Sequence, residues 1–354
     1  MAVKTLSKTE RFGILKQTTW GTAEVASSAF RLCQWINAGT PNPNPDVQVD
    51  QFNVTSGYGT HFEKERFFVD GTSGLPTIPF SGTCEKATMT PFLVGAYQPA
   101  DGFEASSTPY LKTIPCGGLL APIDFAAGVG NVHTIALDQG GSDDDGILLT
   151  DAVIQNLSIV WDLNARGVAR LVNMSGAWVG SLLQYEQSLS GDWENATIAQ
   201  TGFFNNTDAW DTDSLTIGGV DYKAECVRRV EEQVNNNVTS NCKTTAGRAN
   251  QYDMAPEYKT ILTLDYNATT EKILKDFQAG DSAVSLAWSN DASGTYADGK
   301  WSFLHATTGG VLISPPKIYQ GDFLGIQLEI RWMSALGATP LNVMYTDTVD
   351  WAYN

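Results

Sequence analysis

Three histidines, His61, His133 and His305, are the side chains best suited to proton transfer or metal binding near neutral pH. None stands in HExxH or another metal-ligand spacing, so all three read as structural histidines with satisfied hydrogen bonds. The run Gly140-Gly141-Ser142-Asp143-Asp144-Asp145-Gly146 gathers carboxylates ahead of a glycine, as calcium loops do. An EF-hand register that puts Gly146 at the loop's glycine position places Gly141 first and Ala152 last, where carboxylates are required, so calcium fails at both ends. Asp143, Asp144 and Asp145 are assigned instead to a solvated hairpin tip. Ser175 and Ser181 lack the GxSxG frame of a nucleophile elbow, and neither a phosphate loop nor a dinucleotide fingerprint occurs. The expectation is a chain without catalytic residues, cofactor or metal. Two carboxylates for glycoside cleavage could come from anywhere in the sequence. The ten tryptophans make sugar binding the competing idea, but Trp161, Trp178, Trp288 and Trp332 lie inside apolar runs, which favours core duty over exposed stacking platforms.

Five cysteines (Cys33, Cys84, Cys116, Cys226 and Cys242) form an odd set without CxxC spacing, which argues against a disulfide framework and against zinc. They read as reduced and buried or inert. The first residues, Met1 to Arg11, are polar, carry Lys4, Lys8 and Arg11, and lack the apolar run of a signal peptide. No stretch approaches the roughly 18 consecutive apolar residues of a membrane helix. The sequence therefore predicts a protein made and kept in a cytoplasm, away from membranes.

The 354 residues suffice for two ordinary domains or one large β domain. Hydrophobic residues make up 42% and charged residues 17%, which excludes a generally disordered chain and leaves a surface rich in Asn, Thr, Ser and Gly. With 22 Lys plus Arg against 39 Asp plus Glu, the formal net charge is −17. Affinity for nucleic acid through counterion release is not expected, although negative walls suit a conduit through which phosphates slide.

The elements that carry these residues read as β structure. Residues 1–46 form an arm closed by the linker Pro41-Asn42-Pro43-Asn44-Pro45, where each proline removes a donor and restrains its predecessor. From residue 47 to 354 the chain is β-rich. Short strands are predicted at Val47–Val54, Phe62–Val69 and Thr77–Phe80, between Gly and Pro breakers. Pro91–Tyr97 suits a single helix or a strand about equally. The runs Asp151–Asp162 and Val168–Leu182 flank a five-residue loop, Leu163 to Gly167, and predict a hairpin. Between Leu215 and Val234 a strand entering from the Gly218-Gly219 turn is favoured over a helix. Glu257–Tyr266, Asn267–Gln278 and Ala283–Trp288 predict strand, short helix, strand. Asn267, Thr269 and Thr270 suit the helix start, and Ile273, Leu274 and Phe277 share one face. The recurrence suggests an internal duplication into halves 47–210 and 211–354.

The order of these segments resembles the major tail tube proteins of long-tailed, siphophage-type bacteriophages. Ile147–Asp162 with Met174–Gly180, then Ile217–Tyr222 and a run ending in Asn235-Asn236-Asn237-Val238, then the late strand-helix-strand carry the resemblance. Lys16-Gln17-Thr18-Thr19-Trp20-Gly21-Thr22-Ala23 is similar to the family's common opening. The resemblance implies a twisted β-sandwich or β-barrel tail-tube fold with a short packed helix. It implies a virion protein of the tail, assembled in the host cytoplasm as homo-oligomeric rings that stack around a channel for DNA. Hexameric rings are the usual form, and a duplicated chain keeps open a trimer with pseudo-sixfold symmetry. Closed rings also remove open sheet edges, an aggregation liability. On this reading DNA passes without specific binding, and other tail proteins are further partners. The acids on or ending predicted strands, Glu63, Glu65, Asp162, Glu231 and Glu232, are candidates for the channel wall, and Asp143, Asp144 and Asp145 for an inter-ring loop. A carbohydrate-binding or carbohydrate-cleaving β protein, and a related virion component such as a tail terminator, are the alternatives.

Overall fold

The computed structural model describes residues 11–23, 30–33, 35–43, 46–55, 61–70, 75–99, 110–116, 123–124, 130–138, 146–164, 171–187, 189, 193–194, 204, 211–243, 249–280, 282–290, 301–305, 309–320, 324–333 and 341–347. The first half of the chain runs β1 (Arg11–Lys16), β2 (Phe30–Leu32), β3 (Ile36–Ala38), β4 (Asp46–Thr55), β5 (His61–Asp70), β6 (Thr77–Thr83), α1 (Met89–Tyr97), β7 (Tyr110–Cys116), β8 (Ile123–Asp124), β9 (His133–Asp138), β10 (Gly146–Asp162), β11 (Asn173–Val179), β12 (Leu182–Gln187) and β13 (Trp193–Glu194). The second half runs β14 (Asp211–Ile217), β15 (Val220–Asp221), β16 (Val227–Asn235), β17 (Thr239–Lys243), β18 (Ala249–Asp253), β19 (Glu257–Asp265), α2 (Glu271–Ala279), β20 (Ala283–Ser289), β21 (Trp301–His305), β22 (Gly310–Leu312), β23 (Lys317–Gln320), β24 (Leu324–Trp332) and β25 (Leu341–Asp347). The protein is mainly β and its sheets are predominantly antiparallel.

The spine is β10. Its segment Gly146–Ile154 is buried without alternation, as in a strand covered on both faces, whereas from Gln155 onward burial alternates. The buried part pairs with β9 on one side and β12 on the other. The ladder with β9 slips between Leu149 and Ala152, where Asp151 adopts a left-handed φ of 57°. Beyond this bulge β10 pairs with β11 and β16 instead. One strand therefore belongs to two sheets. The first continues through β9, β1, β2 and β13. The second runs β3, β6, β11, β10, β16, β19, β24, with β22 and β23 sharing the far edge of β24. β22 hands the chain on to β20, which pairs with β14 and β21, and β21 leads through β25 to β7.

The inner face of the second sheet is apolar: Phe80, Leu157, Ile159, Trp161, Met174, Trp178, Val230, Val234, Leu262, Ile326 and Ile330 are buried in one cluster. Against it lies α1, every residue of which is buried. The Pro91–Tyr97 segment is thus a helix; Pro91 falls in its first turn, where the missing N–H has no intrahelical partner to lose. Gly95 is required by the packing, since a Cβ there would stand 2.8 Å from the Trp178 ring. The predicted strand-helix-strand forms as β19, α2 and β20. Asn267 starts it: its Oδ1 accepts the N–H groups of Thr269 and Thr270 at 2.8 and 2.9 Å. Ile273 is buried, and Leu274 and Phe277 pack beside it.

One reading of the sequence changes. The segment up to residue 46 is not an arm from Arg11 onward, because Phe12 and Ile14 are buried and β1 pairs along its length with β9. Its proline linker is tied down as well, with Asn42 and Thr77 exchanging backbone hydrogen bonds of 2.8 Å. The β10–β16 ladder and the β8–β18 pairing cross between residues 47–210 and 211–354. The Gly218-Gly219 turn forms as expected, with φ of 57° and 81° linking β14 to β15, the turn geometry that matches strand twist. The strand predicted beyond it is interrupted at residues 222–226 and resumes as β16.

Candidate functional site

Alternation along the second sheet that sends the apolar residues inward sends small polar and charged residues outward, and the register aligns them across strands. Asn37 stands opposite Ser81, Ser81 opposite Ser175, Ser175 opposite Ser158, Ser158 opposite Gln233, Gln233 opposite Lys259, and Lys259 opposite Arg331. This row of hydroxyl and amide side chains crosses the sheet from β3 to β16 before meeting cations on β19 and β24. Its centre is a shallow trough of ≈ 620 Å³ floored by Phe80, Gly176, Ser158, Ser175, Gln233 and Lys259.

The charged groups of this face are committed to one another. Lys259 donates to Glu329 at 2.7 Å, Ser314 donates to the same carboxylate at 2.8 Å, and these bonds, Lys259 first, hold the Glu329 carboxyl below its ordinary range. Arg331 donates to Glu257 at 2.9 Å. Glu231 is a hub: Ser158 and Gln233 donate to one oxygen at 2.9 and 2.7 Å, and Arg229 to the other at 3.1 Å. At the start of β16 Arg228 forks onto both oxygens of Asp265, and the hydrogen bond to Asp265 raises its pKa further.

The predicted wall acids separate. Glu231 lies on this polar face, and Asp162, half-buried at the end of β10, accepts the Asn164 N–H at 3.1 Å. Glu232 is a correction. It shares the inward face of β16 with Val230 and Val234, is 3% exposed, and accepts a 2.7 Å hydrogen bond from Thr260, whose hydroxyl in turn accepts Trp332 Nε1–H at 2.7 Å. A carboxylate in that position belongs to the core and cannot line a wall. Glu63 and Glu65, on β5, stand opposite Asn53 and Gln51 of β4 in a two-stranded ladder. Asp143, Asp144 and Asp145 lie outside the described residues, as does most of the stretch weighed for calcium.

No family model and no curated protein matches the chain.

Sequence reasoning missed a densely connected buried polar cluster. Asp151, fully buried at the β10 bulge, accepts hydrogen bonds from Gln17 Nε2, from Ser181 Oγ and, at 2.8 Å, from the Gly21 N–H. Gln17 answers by accepting the Asp151 N–H at 2.9 Å and the Thr134 hydroxyl at 3.1 Å. Tyr252 donates to the Asp151 carbonyl at 3.0 Å and meets Trp20 edge-on at 5.7 Å. The cluster fastens the Gln17–Gly21 segment to the point where β10 changes sheets. Nearby, burial pushes His133 down to about 3, so its ring is neutral, edge-on to Trp178. Of the cysteines, Cys33 and Cys84 are free and buried, which pushes both thiols up, and Cys226 is exposed. Trp161, Trp178, Trp288 and Trp332 are core residues, each at most 3% exposed. Among the described residues no helix is long and apolar enough to cross a membrane.

Proposed function

We propose that the chain is the structural subunit of a phage tail tube, polymerising as stacked rings around a channel for DNA, with a role in the virion rather than in catalysis. The observation that carries the reading is the polar face of the second sheet. It is broad and made of hydroxyls, amides and carboxylates already neutralised by Lys259, Arg229 and Arg331. Tight phosphate binding draws its energy from free Lys and Arg that release counterions. Cations locked to carboxylates do not supply it, so a duplex moves past such a wall without being gripped. On this reading Glu231, Glu257 and Glu329 are the wall acids, and Glu232 is not.

The order of β segments that resembles tail tube proteins is the second support. Trp161, Trp178, Trp288 and Trp332 are in the core and offer a sugar no stacking platform, whereas Trp35 is 53% exposed.

Sedimentation velocity on the purified protein over a concentration series tests the proposal. A tube subunit gives a discrete ring species, a multiple of three or six protomers, and then larger polymers as concentration rises. A protomer that stays monomeric throughout contradicts it.

A further inference from the structure

A polar cluster shut off from solvent can react only with itself, and the groups around Gln17 are arranged for such a reaction. Gln17 is 5% exposed, and Thr134, on β9, and Asp151, at the β10 bulge, are fully buried. The Gln17 carboxamide is polarised from both ends. Its Oε1 accepts the Asp151 N–H at 2.9 Å and the Thr134 hydroxyl at 3.1 Å. Its Nε2 donates to the Asp151 carboxylate and, at 2.8 Å, to the Thr19 carbonyl. Ser181 Oγ and the Gly21 N–H fix that carboxylate in place. The carbonyl oxygen thus has a backbone N–H, the carbonyl has a hydroxyl beside it, and the nitrogen that would leave has a carboxylate. These are the parts of an acyl transfer: oxyanion donor, nucleophile and proton carrier.

Distance and burial support the same reading. Oε1 lies about 1.2 Å from Cδ, so Thr134 Oγ1, 3.1 Å from Oε1, needs only a turn of the soft terminal torsion of the carboxamide to meet the carbonyl carbon. Held together, the two groups react as parts of one molecule, and exclusion of water protects the product from hydrolysis. Gln98 supplies the contrast. It is 3% exposed, but among the described residues its amide bonds only backbone groups of Gly95 and Asn131, with neither a hydroxyl nor a carboxylate.

We propose that Thr134 and Gln17 join in an intramolecular ester with loss of ammonia. Thr134 Oγ1 bonds Gln17 Cδ while its proton passes to Oε1, where the Asp151 N–H steadies the adduct. Collapse of the adduct restores the carbonyl and breaks the Cδ–Nε2 bond. The proton on Oε1 travels by way of the Asp151 carboxylate to the nitrogen, which leaves as ammonia. Oxidant, metal and second substrate are not needed. The hydrogen-bonded amide is the newly folded state, because only the folded chain brings the two residues together. The ester then closes residues 17 to 134 into one covalent loop, which restricts the unfolded chain as a disulfide does. The linkage does not depend on the tube-subunit reading, and its test needs no assembly.

Intact-mass spectrometry of the full-length protein, at purification and during several days of incubation, tests it. The expected mass is lower than that of the sequence by one ammonia, about 17 Da. Digestion after glutamate then yields one species that joins Arg11–Glu24 to the peptide carrying Thr134. Mild alkali cleaves that species and leaves glutamate at position 17. Thr134→Val, checked for native circular dichroism, keeps the full mass, and Thr134→Ser regains the loss. Asp151→Asn, a residue type that tolerates the left-handed φ, slows the loss at least tenfold. A folded parent protein that keeps its full mass throughout overturns the proposal. So does a loss of ammonia that survives Thr134→Val or maps to the peptide carrying Gln98. Should Thr134→Val fail to fold, the joined peptides and their alkaline cleavage in the parent protein decide alone. Asp151→Asn reacting at the parent's rate overturns the role of the carboxylate.

Discussion

His133 and Asp151 sit next to each other at the bulge of β10, and each ties stability to a buried polar group. In the unfolded chain a histidine titrates near 6.5, whereas burial pushes His133 down to about 3. Between those values the unfolded chain binds a proton that the folded one does not, so the His133 contribution to stability is present above about pH 6.5 and is lost by about 1.4 kcal/mol per pH unit toward pH 3. Urea unfolding of the parent protein and of His133→Gln at pH 7 and pH 4.5 checks this: the variant loses less stability on acidification, and equal losses would refute the assignment. Gln17→Ala removes a donor from Asp151 and an acceptor from its N–H, and is expected to cost about 1–3 kcal/mol in the same assay. Gln17 stands in the run that resembles the tail-tube opening, but its partner is 134 residues away, and no local pattern joins them. Glu231 and Glu232 teach the opposite lesson. The flanking Val230 and Val234 decide which acid is inward on the strand that the sequence already favours, so the split between Glu231 and Glu232 was legible from alternation alone.

At the scale of elements, the segments with strong local chemistry were legible: the Gly218-Gly219 turn, the β10–β11 hairpin, and α2 with its Asn267 start. Asn267→Ala is expected to destabilise the fold by about 1 kcal/mol, the ordinary cost of a lost cap, read from the urea midpoint. The segment carrying α1 was ambiguous because its residues are apolar on every side, so neither period stands out; its burial against β10 and Trp178 settles it as a helix. Gly95→Val forces side-chain atoms into the Trp178 ring and is expected to cost about 1–3 kcal/mol, with near-ultraviolet circular dichroism reporting the displaced indole. Long-range pairing was out of reach. That β1 joins the core, and that β10 changes partners midway, depends on register between segments far apart in the chain.

For the molecule as a whole, the formal charge of −17 suggested an acidic wall, but the polar face of the second sheet balances its acids with cations. Its proposed indifference to DNA rests on that balance. Replacing Glu231 and Glu329 by lysine leaves Arg229 and Lys259 without their carboxylates. DNA binding that weakens steeply with salt is then expected in a fluorescence anisotropy titration where the parent protein shows none. The low charge density and the order of β segments pointed to a self-assembling protein; which face and which edges serve that role depends on register, which composition does not encode. Electron microscopy of the purified protein tests the central claim most directly. Hollow tubes or stacked rings, with a map that places Ser158, Ser175 and Glu231 on the channel wall, are the predicted result. Solid filaments, single particles without a central hole, or a channel lined by another surface would contradict it.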